Sequence, residues 1–96
     1  DQTTKVKGMF VHPSQIAEVV RRHAEITKAR LTVSHDADRN DVMTLACEVA
    51  GSPGGLADAV GQSIRDVCKL RGEVTLVAPG SLPNDGKVIE DVRKYD

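Results

Sequence analysis

The residues of this chain best placed to do chemistry stand in one loop, Gly80-Ser81-Leu82-Pro83-Asn84-Asp85-Gly86-Lys87. Glycines bracketing a segment that ends in lysine suggest a phosphate cradle, in which backbone N–H groups and an ammonium surround an anion. A Walker-type loop places four residues between its glycines and follows the lysine with Ser or Thr. Here five intervene, one is Pro83, and Val88 follows Lys87, so that motif is excluded. What survives is Gly86-Lys87 at the end of a proline-stiffened loop, a single cation presented on a mobile arm. By residue type alone two readings stay open: a substrate contact, or the solvated turn lysine common on protein surfaces.

Other candidates are weaker. Asp36-Ala37-Asp38-Arg39-Asn40-Asp41 begins like a calcium loop, but positions six and twelve hold Asp41 and Cys47 where an EF-hand requires Gly and Glu. A solvated hairpin turn fits better. His12, His23 and His35 are not paired at the i, i+4 spacing that puts two ligands on one helix face, so core or surface histidines are expected. Cys47 and Cys68 stand alone, without a CxxC or a histidine at ligand spacing. Two reduced core thiols in a cytoplasmic protein are expected, and no metal site.

The elements that must position these groups follow from periodicity. Lys5–Val11 reads as a strand with Gly8 inside it, where a glycine marks a bulge or a close approach to the backbone. Pro13 suits the first turn of a helix, and Ile16, Val19, Val20 and His23 fall on one helical face. Leu31, Val33 and His35 then alternate with Arg30, Thr32 and Ser34, and Met43, Leu45, Cys47 and Val49 alternate after the turn, giving a β-hairpin. Beyond Gly51-Ser52-Pro53-Gly54-Gly55, the spacing of Leu56, Val60, Ile64, Val67 and Cys68 predicts a second amphipathic helix, closed by Gly72. Glu73–Val77 reads as a further strand, and Lys87–Lys94 as a short terminal helix after the loop. The fold class is α+β: a β-α-β-β-α-β, ferredoxin-like layout with an antiparallel sheet and two helices on one face.

Composition bounds the function. Ninety-six residues form one domain with a thin core, which buries only about 60–65% of the surface of the unfolded chain. Phe10 and Tyr95 are the only aromatic residues, and thirteen basic residues face fourteen acidic ones. The chain therefore has neither a stacking platform nor a positive field for a nucleic acid. Apolar runs of three or four residues fall far short of the roughly 20 needed to span a membrane. Neither nucleic acid nor membrane is an expected partner.

Two stretches point to a family. Lys7-Gly8-Met9-Phe10-Val11-His12-Pro13-Ser14-Gln15-Ile16-Ala17-Glu18 resembles the (Arg/Lys)-Gly-x-x-Val-x-Pro-Ser-Gln-Ile-x-Glu segment of phenylacetate–CoA ligases. Leu76-Val77-Ala78-Pro79-Gly80-Ser81-Leu82-Pro83, followed by Gly86-Lys87, is similar to the same family's final loop. The resemblance covers nearly the whole chain and implies the small C-terminal lid domain, residues 1–96, of an adenylate-forming enzyme that closes over a large N-terminal domain. It implies that Lys87, with Gly86, meets ATP during adenylation of an aromatic acid in aromatic-acid catabolism. It also implies that Gly8, with Lys7 beside it, lines the path of CoA, and that Asp1 stands at the hinge where the chain was cut. ATP and CoA would then be co-substrates, Mg2+ would come from the N-terminal domain, and the isolated chain would be inactive. The chain departs from the pattern in having one residue fewer between Pro83 and Gly86, and Glu90 where an Arg is common. A domain that loads a carrier protein would share these residues. The rival from another class is a free-standing ferredoxin-like module that binds a small ligand and has no need of Gly86-Lys87.

Overall fold

The computed structural model describes residues 2–51 and 53–94; the hinge position expected at Asp1 lies outside them. The chain runs β1 (Thr4–Val6), β2 (Met9–Val11), α1 (Pro13–Arg21), β3 (Lys28–His35), β4 (Asp41–Glu48), α2 (Leu56–Cys68), β5 (Glu73–Val77) and β6 (Ile89–Asp91). The α+β class stands, with three corrections of detail. The stretch expected as one strand over Lys5–Val11 is a hairpin, β1 with β2, forming its own two-stranded sheet. The four-stranded sheet, in the order β5-β4-β3-β6, is mixed: β3 and β4 are antiparallel, while β5 and β6 add parallel to β4 and β3. The expected terminal helix over Lys87–Lys94 is replaced by β6, because Val88 and Val92 bond to Leu31 and Val33 across the sheet edge instead of to their own turn.

Alternation along β3 and β4 divides the sheet into two unlike faces. Leu31, Val33, Met43, Leu45 and Cys47 lie on the core face, buried beneath Ile16 and Val19 of α1 and Leu56, Val60, Ile64 and Cys68 of α2. Val6 and Val11 carry the small hairpin onto the same core. Lys28, Arg30 and Glu48 point to the opposite face, where the β5–β6 loop crosses them.

Local chemistry sets the helix ends. Pro13 opens α1, and Gln15 Oε1 accepts the His12 backbone N–H at 2.8 Å. α2 ends at Lys69, whose φ of 60° makes the left-handed turn that had been expected of Gly72. Gly72 has a different job: a Cβ there would stand 3.0 Å from Ile64 Cγ2 and 3.4 Å from Met43 Cε.

Candidate functional site

The loop that carries Lys87 is held along its length by side chains from the polar face of the sheet. Glu48, only 5% exposed, accepts the backbone N–H groups of Gly80 at 2.8 Å and Leu82 at 2.9 Å. Those two bonds hold its carboxyl below the usual carboxylate range. Lys28 Nζ donates to Pro83 O at 2.7 Å and Asn84 Oδ1 at 2.8 Å. Arg30 spreads its guanidinium between Asp85 Oδ1 at 2.7 Å and Glu90 Oε1 at 3.0 Å. Gln2 closes the far end, donating to Gly86 O at 3.2 Å and accepting from the N–H of Ile89 at 3.1 Å. The arm expected to be mobile is a clamped loop.

Lys87 is exposed, and its ammonium makes no hydrogen bond or ion pair with the described residues. It borders a hollow of about 360 Å³ shared with Gln2, Thr3, Thr4, Glu90 and Asp91. Both carboxylates there are already engaged. Glu90 faces Arg30, and Asp91 lies 2.6 Å from Arg93, which holds its carboxyl down to about 2. Each guanidinium thus serves two carboxylates, and the Lys87 side chain is left open to the hollow.

Gly8 does not sit in a continuous strand. Lys7 (φ 49°) and Gly8 (φ 82°) form the two-residue turn of the β1–β2 hairpin, with the paired left-handed backbone of a type I′ turn. Asp41 anchors this turn: its Oδ2 accepts the Lys7 N–H at 2.7 Å, while its Oδ1 lies 3.1 Å from Arg93 Nη1 and 3.3 Å from His35 Nε2. A Cβ on Gly8 would meet nothing within 4 Å, so the turn faces open space. Val88, next to Lys87, bonds to Leu31, while Asp41, which anchors the Lys7-Gly8 turn, pairs with His35 at the end of β3. At about 3.3 Å per strand residue the two anchor points are roughly 13 Å apart along β3. The structure keeps them at opposite ends of the sheet.

The residues that hold the loop — Gln2, Arg30, Glu48 and Asp85 — had no signal in the sequence, because each bond joins positions more than thirty residues apart. The three histidines are scattered: Nδ1 of His12 lies 3.0 Å from Thr3 Oγ1, Nε2 of His23 2.8 Å from Ser63 Oγ, and His35 faces Asp41. The acidic turn is a hairpin turn in which Asp36 Oδ1 accepts the N–H groups of Asp38 and Asn40. Cys47 and Cys68 are free and buried. Among the described residues no helix is long and apolar enough to cross a membrane.

The site is thus a lysine on a clamped loop, with a glycine turn toward the other end of the sheet, on a small α+β domain. Residues 8–93 match the family model described as the AMP-binding enzyme C-terminal domain, and the chain belongs to that family. The fold is that of a domain of phenylacetate–coenzyme A ligase from Bacteroides vulgatus: TM-score 0.87 and 24% identity over 100% of this chain and 97% of that one. A 2-hydroxyisobutyryl–CoA ligase in complex with 2-HIB-AMP and CoA gives a TM-score of 0.84 at 19% identity, over 98% of this chain and 22% of that one. An anthranilate–CoA ligase in complex with anthranoyl-AMP gives 0.68 at 14% identity, over 92% of this chain and 18% of that one. The chain thus spans about a fifth of these two ligases. No curated protein matches it.

Proposed function

We propose that this chain is the mobile C-terminal domain of an ATP-dependent aryl-acid–CoA ligase of the phenylacetate type, and that Lys87 serves its adenylation step. The observation that carries the reading is the exposed, unpaired ammonium of Lys87 on a loop fixed from Gly80 to Ile89, in a chain of the AMP-binding C-terminal family. In the first half-reaction a carboxylate attacks the α-phosphorus of ATP, giving an acyl-adenylate and expelling pyrophosphate. Two anions meet while charge builds on the phosphoryl oxygens. A compact ammonium on a long stem offsets both and donates to the oxygens between them.

In the second half-reaction the CoA thiol attacks the acyl carbonyl, AMP leaves, and the thiol proton is released. Gly8 suits that step, since its backbone carries no side chain and faces open space. Its separation from Lys87 means that one placement of the domain cannot bring both to one reacting carbon. The domain therefore turns between half-reactions, about a hinge at Asp1. The large N-terminal domain of the same polypeptide is its partner and supplies the acid pocket, the main nucleotide contacts and Mg2+.

The test is Lys87→Ala in the full-length polypeptide. Acid-dependent ATP–pyrophosphate exchange should fall by at least roughly 10²-fold, while thioester formation from supplied acyl-adenylate continues. Exchange that survives the substitution sinks the assignment.

A further inference from the structure

The guanidinium of Arg30 is 8% exposed and lies on the sheet face away from the helices, where a cation has no packing reason to be buried. A buried charge must be compensated, and here the compensation comes from both sides of Lys87. Nη1 holds Asp85, two residues before the lysine, and Nη2 holds Glu90, three residues after it. One oxygen of Asp85 does double duty, since Oδ1 accepts the Arg30 N–H and also the Lys87 backbone N–H at 3.0 Å. The place of the guanidinium thus sets the place of the peptide from which the Lys87 side chain starts. A flexible four-carbon stem reaches a fixed point only as reliably as its root is held.

We propose that Arg30 is a positioning residue for Lys87, acting through Asp85 and Glu90 on adenylation alone. This rests on the reading of Lys87 given above. Restriction to one half-reaction follows from the geometry. The Lys7-Gly8 turn is held by a separate set, Asp41 with Arg93 and His35, and shares no side chain with the Arg30 bracket. Lysine cannot replace arginine here: a point ammonium lacks the fork that spans two carboxylates.

The experiment uses the full-length polypeptide and measures both half-reactions. Arg30→Lys should lower pyrophosphate exchange by roughly 10²-fold, with thioester formation from supplied acyl-adenylate unchanged. Added to Lys87→Ala, it should produce no further loss in the residual exchange, because its effect passes through the lysine. Asp85→Ala, at an exposed position, should reproduce the pattern if Arg30→Lys folds poorly. Full exchange in Arg30→Lys and Asp85→Ala, an equal loss in both half-reactions, or a loss that adds to that of Lys87→Ala overturns the proposal. Undiminished exchange in Lys87→Ala overturns the reading of the lysine itself, and this one with it.

Discussion

Arg30 Nη1 lies 2.7 Å from the Asp85 oxygen that also receives the Lys87 backbone N–H, so a side chain of β3 and the root of the loop lysine share one acceptor. This contact is one of several by which charged residues of the polar sheet face fix a loop with no regular structure of its own. Arg93 does the same work at the other end. Its side chain, 6% exposed, joins Asp91 of β6 to Asp41 beneath the Lys7-Gly8 turn. Two buried arginines thus hold the loop that carries Lys87 and the Lys7-Gly8 turn.

Glu48 offers the most direct test of the clamp. Its two oxygens receive the N–H groups of Gly80 and Leu82. Glu48→Gln keeps the shape but turns one acceptor into an NH2 group facing an N–H donor. Bonds to a charged acceptor are about twice as strong as neutral ones, so amide exchange at Gly80 and Leu82 should speed up by roughly an order of magnitude. Amides in β3 should be unaffected. Unchanged exchange at both loop amides would show that Glu48 does not hold the loop.

Periodicity made the core legible because each helix and the β3–β4 hairpin carry one apolar face over many residues. Ile16, Val19, Leu31, Val33, Leu45, Val60 and Ile64, placed on those faces by spacing alone, are all buried. Short elements gave no such signal. Ile89–Asp91 is three residues long and owes its strand geometry to bonds with β3, which local sequence does not encode. The Lys7-Gly8 turn escaped notice because lysine at φ 49° is not a usual turn former, although the glycine beside it marked the place. Alternation along β3 places Arg30 on the polar face; its burial depends on Asp85 and Glu90, far along the chain.

Acid should loosen the chain over a defined range. Arg93 beside Asp91 holds its carboxyl at about 2, and the Lys7 N–H with Arg93 lowers Asp41. An unfolded Asp titrates at about 3.9. A folded value below the unfolded one contributes stability that is complete above about pH 4 and is lost as pH falls toward 2. The urea midpoint should therefore be steady from pH 7 to 5 and drop steeply below 4. Asp91→Asn should start lower and show a shallower drop, whereas a slope equal to that of the parent would remove Asp91 from the account.

The same substitution at two glycines should give opposite signs. Gly72→Ala places a methyl 3.0 Å from Ile64 Cγ2 and 3.3 Å from its Cδ1, beside a buried side chain with no room to yield. A cost of about 1–3 kcal/mol is expected for such overpacking. Gly61, inside α2, would bring a methyl to 4.0 Å from Val74 Cγ2, an ordinary contact. Gly61→Ala should stabilise by about 0.5–1 kcal/mol through reduced backbone entropy in the unfolded chain. Denaturant midpoints separate the two. A neutral Gly72→Ala would mean that Ile64 can repack.

Gly8 carries the last prediction, and Gly55 supplies its control. Their φ angles are 82° and 77°, and a methyl on either meets nothing within 4 Å inside the domain. Alanine should therefore strain each backbone similarly, on the order of 1–3 kcal/mol. Equal losses in the denaturant midpoint would establish that the two strains match. Only Gly8→Ala puts a side chain on the turn assigned to the thiol's approach. In the full-length polypeptide it should slow thioester formation from supplied acyl-adenylate and leave pyrophosphate exchange unchanged, the reverse of Lys87→Ala. Gly55→Ala, on the opening turn of α2, should leave both half-reactions intact. If the two alanines slow thioester formation alike, backbone strain explains the loss and Gly8 has no place on the CoA path. If Gly8→Ala lowers exchange as well, the two ends of the sheet do not divide the half-reactions, and the turning of the domain about its hinge loses its structural argument.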